Sequence, residues 1–243
     1  MAAQDVINQS QKKLAVLFDG ENISPQRVSI ILDEIAKFGT TNIKRVYGDW
    51  TSSSMNSWKA ILHKFSLLPI QQFTYTYGKN STDSALIIDA MDILHSNIVD
   101  GFCIISSDSD YTRLAMRMKE SGLVVYGIGE LKTPEPFRQA CNQFIFIENL
   151  EPREHVTFTD DIQELVLSAV EDAADEEGWA FLSQVGIILR NKKPDFDYRT
   201  YGYRRLGELV KEINFLEIRY VHPRGTEIPD MQVRKKVNES GVT

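Results

Sequence analysis

The sequence predicts an α/β protein: a mostly parallel sheet flanked by helices over residues 1–150, then a small winged-helix domain at the C-terminus. Three observations carry this. Short apolar runs of strand length alternate with helically spaced stretches, joined by short connections, as in repeated β-α units. Two of those apolar runs end at aspartates. Beyond residue 160 the pattern changes to three helical stretches followed by a hairpin.

The elements follow in order. KLAVLFD (13–19) is a buried strand closed by an acid. ISPQRVSIILDEIAKFG (23–39) carries Val28, Ile31, Leu32 and Ile35 at helical spacing, with Ser24 as N-cap, Pro25 at the first helical position and Gly39 as the stop. NIKRVYGDW (42–50) is a second strand, and SMNSWKAILHKFSLL (54–68) a second helix closed by Pro69. PIQQFTYTYG (69–78) alternates aromatic and polar residues, which predicts a third strand. TDSALIIDAMDILHSN (82–97) is a helix, GFCIISSD (101–108) a strand, DYTRLAMRMKESG (110–122) a helix and LVVYGIG (123–129) a fifth strand. PFRQACNQFIFIENL (136–150) gives a helical piece and an apolar tail. The polar stretch 151–159, with Pro152, reads as a linker. Helices are expected at 160–176, 179–192 and 198–214, and a two-stranded wing at 215–221 and 226–236.

Composition narrows the function classes. Of the 243 residues, 42% are hydrophobic, enough for a packed core. No apolar run reaches the ~18 residues a membrane span needs, and the first residues lack a signal-peptide pattern, so a reducing cytoplasm is the expectation. Cys103 and Cys141 are too few for a disulfide framework or zinc site and read as buried thiols. The net charge of −7 argues against coating nucleic acid by bulk charge. The second half is polarised: residues 160–177 hold eight acids and no base, residues 187–225 nine bases and five acids.

Open parallel sheets build their sites at the carboxyl ends of strands. Asp19 ends the first strand, Asp108 and Asp110 follow the fourth, and Asp83 opens the helix after the third, so all four face one edge. Clustered carboxylates repel one another. With only Lys79 close in sequence, a divalent cation is the expected partner, and carboxylates suit Mg²⁺ or Mn²⁺. Such a cation activates water and stabilises a phosphoryl transition state. Each acid alone has a plainer reading as a helix cap: Asp108 or Ser109 for the helix from 110, Thr82 or Asp83 for the helix from 83, and Asn22 for the first. Asp89, six residues after Asp83, points away from it, as second shell or surface, and Asp92 and Asp100 read as solvated. The four histidines are scattered and receive no chemistry.

FDGEN (18–22), Asp83 and SSDSDY (106–111), taken in this order, resemble the NYN domain of the PIN-like nuclease superfamily, in its LabA-like branch. The resemblance spans 13–150, and TPEPFRQACNQFIFIENL (133–150) is similar to the family's closing helix and last strand. Ser107 stands where the family more often has Gly, and GKNSTD (78–83) lacks the apolar residue often found before its Asp. The resemblance implies a PIN-like fold and a metal-dependent ribonuclease. Asp19, Asp83, Asp108 and Asp110 would bind one or two Mg²⁺ or Mn²⁺, and Asn22 would orient a water or phosphate oxygen. Ser107, Ser109 and the amides starting the helix at 110 would contact a phosphate.

Residues 178–218 resemble the OST-HTH, or LOTUS, domain through Gly178-Trp179, Gly186, Pro194-x-Phe196-Asp197, Tyr201-Gly202 and Leu206. Trp179, Leu182, Phe196, Leu206, Leu209 and Phe215 read as core, and Gly186 and Gly202 as sites of close helix packing. Arg190, Lys192, Lys193, Arg199, Arg204 and Arg205 suggest a basic, phosphate-binding face, with the acidic first helix on the opposite side. RNA rather than DNA is what both resemblances imply. The aromatics Phe73, Tyr75 and Tyr77 fit base stacking or plain strand packing. LOTUS domains also serve protein contacts, and PIN-like domains often form homodimers. The rivals are a non-catalytic RNA-binding adaptor and another carboxylate-metal phosphotransferase. A Toprim-like site uses Glu where Asp19 stands, and a HAD-like phosphatase needs D-x-D on the first strand, which FDGEN lacks.

Overall fold

The computed structural model describes residues 11–73, 81–151, 160–222 and 229–236. The chain divides into two compact units, the first ending at Leu150 and the second starting at Glu151. The expected linker lies almost wholly outside the described residues, as do Tyr75, Tyr77 and Lys79.

The first unit is built on six strands: β1 (Lys13–Asp19), β2 (Thr40–Gly48), β3 (Leu68–Gln71), β4 (Gly101–Ile105), β5 (Val124–Gly129) and β6 (Gln143–Phe146). All neighbours are parallel, in the order β3-β2-β1-β4-β5-β6. The chain winds outward in one direction from β1 to β3, then crosses back to β4 and winds outward the other way. The carboxyl ends of β1 and β4 therefore form the topological switch point, where doubly wound sheets bind ligands.

Strand alternation sends β1 to both faces. Leu14, Val16 and Phe18 pack with α1 (Val28–Ile35) and with Met55, Trp58 and Leu67. Ala15 and Leu17 pack with α4 (Ser81–Ser96), α5 (Thr112–Glu120) and α6 (Glu135–Ala140). Burial on both faces explains why the central strands are apolar without a polar stripe.

Several boundaries differ from expectation. The second helix is broken into α2 (Asn56–Lys59) and α3 (Leu62–Phe65). It stops because Leu67 N–H returns to Leu62 O at 2.9 Å, with Ser66 left-handed at φ 53. Among the described residues the third strand covers Leu68–Gln71, and residues 74–78 of the expected strand lie outside them. Its partner β2 ends opposite Gln71, and the Gln71 amide is bonded to Trp50 N–H (2.9 Å) and Asp49 (3.0 Å) beyond it. Pro69 is tolerated because β3 is an edge strand. The helix after β4 starts as a tighter turn at Ser109–Tyr111.

The second unit has α7 (Asp160–Ala173), β7 (Ala180–Phe181), α8 (Leu182–Lys192), α9 (Leu206–Lys211), β8 (Leu216–Val221) and β9 (Asp230–Lys235). Its sheet has three antiparallel strands, β7-β9-β8, rather than two, because Ala180 and Phe181 pair with Val233 and Gln232. Its core includes Phe196, Leu209 and Val233, with Leu182, Leu206 and Phe215 packed against it. Gly186 does serve close packing: a Cβ there would lie 3.3 Å from Leu206. Gly202 instead supplies a left-handed cap at φ 82. Among the described residues, no helix is long and apolar enough to cross a membrane.

Behind the switch point, Trp58 is buried edge-on against Phe18, 5.8 Å between centroids, and its Nε1–H donates to Gly20 O at 2.9 Å. Trp58→Phe keeps an aromatic side chain but loses the indole N–H, which strands that carbonyl, and leaves a cavity where the second ring stood. The unmade hydrogen bond alone should cost about 1–3 kcal/mol, with the cavity adding to it, read as a lower urea midpoint for the first unit.

Candidate metal centre at the switch point

Asp19 ends β1 with its side chain fully buried. Burial pushes its carboxyl pKa above the ordinary value, and hydrogen bonds to the ionised form work against that push. Asn22 Nδ2 donates to Oδ2 at 2.6 Å, Ser106 Oγ donates to the same oxygen at 2.8 Å, and Glu21 N–H donates to Oδ1 at 3.3 Å. Asn22 thus holds Asp19 rather than capping the first helix, a task Ser24 performs through Gln26 N–H. Gly20 is required here: a Cβ would lie 2.8 Å from Tyr47 O.

Past β4, Ser106 Oγ also accepts Asp108 N–H at 3.0 Å. Asp108 Oδ1 accepts Asp110 N–H at 2.9 Å, so the capping role and the clustering of acids coexist. The Asp108 and Asp110 amides are thereby engaged within the loop, the second of them among the helix-start amides suggested for a phosphate. Ser107 Oγ accepts Glu130 N–H at 2.9 Å, tying the loop to the end of β5, while Ser109 is exposed.

Asp83 lies in the first turn of α4 and is 9% exposed. Its pKa is raised first by burial and then by the charges of Asp19, Asp108 and Asp110, against a lowering hydrogen bond from Tyr111. Asp83, Asp108 and Asp110 each place a carboxylate oxygen within 4.8 Å of the others. Asp19 is not in that trio. It stands behind it, joined through the Tyr111 hydroxyl, which lies 2.6 Å from Asp83 Oδ1 and 3.4 Å from Asp19 Oδ2. The all-oxygen, mutually repelling donor set fits a hard divalent cation.

Sequence reasoning missed Ser106, Tyr111 and the role of Asp89. Asp89 is neither solvated nor part of the trio. Its side chain is 21% exposed and accepts hydrogen bonds from Arg45 and from the Tyr47 hydroxyl, clamping α4 to β2. Asp100 accepts Lys13 N–H at 2.7 Å at the start of β1. Cys103 and Cys141 are buried thiols, burial raising both pKa values, that of Cys141 to about 12.

In the second unit the expected basic face is partly spent on structure. Lys192 bonds Asp172 and Ser168 of α7, and Lys235 bonds Glu171 at 3.0 Å. The acidic helix thus packs beside Lys192 and Lys235 and pairs with them, while no residue of that helix lines the groove that holds Arg190 and Arg205. Arg199 chelates Asp197 with contacts of 2.7–3.0 Å. Lys193 is half-buried and Arg204 is exposed. Arg190 and Arg205 line a groove of about 810 Å³ with Lys211, Tyr220, Glu208 and Asp230 on its wall, over Leu182, Ile187 and Leu206. Arg219 and Arg234 each lie over the Trp179 ring, 4.1 and 4.5 Å from its centroid.

An open parallel α/β domain with a carboxylate cluster at its switch point, followed by a winged helix, is the class these features define. The NYN domain model matches residues 13–148, and the chain belongs to the NYN domain family. The OST-HTH/LOTUS domain model matches residues 157–228. NYN domains belong to a nuclease superfamily, and LOTUS domains are RNA-binding modules. Similar solved structures include a protein of unknown function from Vibrio parahaemolyticus, 15% identical, covering 56% of this chain and 93% of that one, TM-score 0.47. An uncharacterized protein of Nitrosomonas europaea is 30% identical over 38% of this chain and 87% of its own, TM-score 0.32. A fragment from Chromobacterium violaceum is 30% identical over 38% of this chain and 94% of its own, TM-score 0.27. No curated protein matches the sequence.

The raised pKa of Asp83 means that the folded state holds its proton more tightly than the unfolded chain. Its contribution is favourable below the unfolded pKa and is lost as pH rises through the folded value. Asp83→Asn should therefore raise the melting temperature in EDTA at pH 7.5, and the gain should shrink towards pH 4.

Proposed function

We propose that the chain is a Mg²⁺- or Mn²⁺-dependent ribonuclease whose first unit hydrolyses RNA phosphodiester bonds and whose second unit binds the RNA. The observation that carries this reading is the convergence of Asp83, Asp108 and Asp110 at the switch point of a nuclease-superfamily fold. These three would hold the cation, with Asp19 behind them. A divalent cation there would activate water and offset charge developing on the phosphoryl oxygens.

The chain's own groups do the positioning. Asp19 fixes Asn22 and Ser106 through its Oδ2. Asn22 Nδ2 carries a second N–H able to donate to a water or a phosphate oxygen. Ser109, exposed beside Asp108 and Asp110, would meet the substrate backbone. A phosphodiester brought to this edge exchanges bulk water for fixed dipoles and carboxylates.

The test is cleavage of labelled single-stranded and structured RNA with Mg²⁺, Mn²⁺ or EDTA, beside Asp108→Asn purified identically. Cation-dependent cutting, lowered at least ~100-fold in the variant, is expected for loss of a charge-stabilising group. Equal cutting by both preparations, or none by the wild type, sinks the nuclease reading. RNA binding without cleavage would leave an RNA-binding adaptor.

In the second unit, Arg190 and Arg205, with Lys211 and Tyr220, are the proposed RNA contacts, because they line one groove and Lys192 and Arg199 are committed elsewhere. In the Asp108→Asn background, removing Arg190 and Arg205 should flatten the slope of log K against log salt by about 1.4, at ~0.7 per lost phosphate contact on a single strand. Lys192→Ala should leave the slope unchanged. Anisotropy titrations across a salt series measure both.

A further inference from the structure

Tyr111 is fully buried, and its hydroxyl lies between two carboxylates from different elements, Asp83 of α4 and Asp19 of β1. A phenol has one proton to donate. The 2.6 Å contact to Asp83 Oδ1 takes it, against 3.4 Å to Asp19. Burial first, and then the surrounding acids, hold this phenol in its protonated, donating form. Asp83 is thus held at Oδ1, while one of its carboxylate oxygens lies within 4.8 Å of oxygens of Asp108 and Asp110.

The ring has little freedom to follow a moving carboxylate. It packs on Phe137, centroids 6.3 Å apart, and Phe137 packs edge-on to Phe144 at 5.8 Å, so α6 and β6 back it. A carboxylate turns easily about its terminal bond, and Asp83 is pushed by three like charges. Among the described residues, the Tyr111 hydroxyl is the side-chain donor that holds Asp83 against that repulsion.

We infer that Tyr111 is the positioning residue of the acidic site: its hydroxyl fixes the rotation of Asp83, and that fixation sets the affinity of the trio for a divalent cation. The inference rests on the trio being a cation site. Hydrogen-bond partners of metal-ligating carboxylates typically control affinity by about 10–100-fold when removed.

The experiment is Mn²⁺ titration of the full chain, with free Mn²⁺ counted by its electron paramagnetic resonance signal, for wild type, Tyr111→Phe and Phe137→Leu. Melting temperatures are measured in EDTA alongside. Tyr111→Phe keeps the ring and should bind Mn²⁺ about 10–100-fold more weakly. Phe137→Leu loosens the packing but keeps the hydroxyl. It should melt earlier yet bind Mn²⁺ close to the wild-type value. Undiminished binding by Tyr111→Phe overturns the inference alone, leaving the cation site standing. So does an equal loss in Phe137→Leu, which would make affinity a matter of packing. A wild type that takes up no Mn²⁺ overturns the inference and the cation reading together.

Discussion

The constraint on which the first unit turns is a carboxylate buried at the end of its central strand. Asp19 occupies a position that alternation sends into the core, at the one edge where the chain reverses its winding. A buried carboxylate is tolerated only when hydrogen bonds replace water. Here the donors come from two elements that meet at the switch point: Asn22 and the Glu21 N–H from the turn after β1, and Ser106 from the end of β4. Satisfying Asp19 thus assembles the loop that carries Asp108 and Asp110. The site exists because a local desolvation problem has a non-local solution.

The remaining acid arrives by a different route. Asp83 comes on α4, which crosses the sheet and is pinned lower down where Asp89 accepts from Arg45 and Tyr47 of β2. On α4 this polar clamp adjoins the apolar face through which Leu86, Ala90 and Ile93 enter the core. Tyr47 lies opposite Asp19 in register. Clamp and site are therefore neighbours through a single strand pair, and a displacement of α4 would be felt at Asp83.

Much of this was legible in the sequence, for a stated reason. Apolar runs ending in acids marked the strands, and a parallel order put Asp19, Asp108 and Asp110 at one edge. Ser106 could have been found by parity alone. Leu17 lies opposite Ile104, so two residues further on Asp19 and Ser106 share a face. The Tyr111 hydroxyl sat within the quoted SSDSDY but had no visible partner, because its bond to Asp83 spans 28 residues. Asp89 was judged by its angle from Asp83, which correctly placed it outside the trio. Angle on one helix says nothing of what a neighbouring strand supplies, and Arg45 and Tyr47 were hidden in a run read only as strand. Strand ends and helix breaks were misjudged where side-chain amides or reverse turns, such as Gln71 and Ser66, replaced the expected ladder.

The second unit shows why charge counts alone mislead. The acid-rich segment and the base-rich segment suggested two opposed faces. An amphipathic helix must instead bury its apolar stripe, here Ile162, Val166, Ala169 and Val170. Once that stripe is seated on α8, the flanking acids fall beside Lys192 and Lys235, and ion pairing follows from packing rather than directing it. Exposed pairs of this kind add little stability, but they remove cations from any surface meant for phosphate. Of the cations not paired with α7 or Asp197, Arg190, Arg205 and Lys211 share one groove with Leu182, Ile187 and Leu206, beside Glu208 and Asp230, and Tyr220, half exposed, lines it too. Such a surface offers both a backbone and a base something to meet. A uniformly basic face would offer only the first.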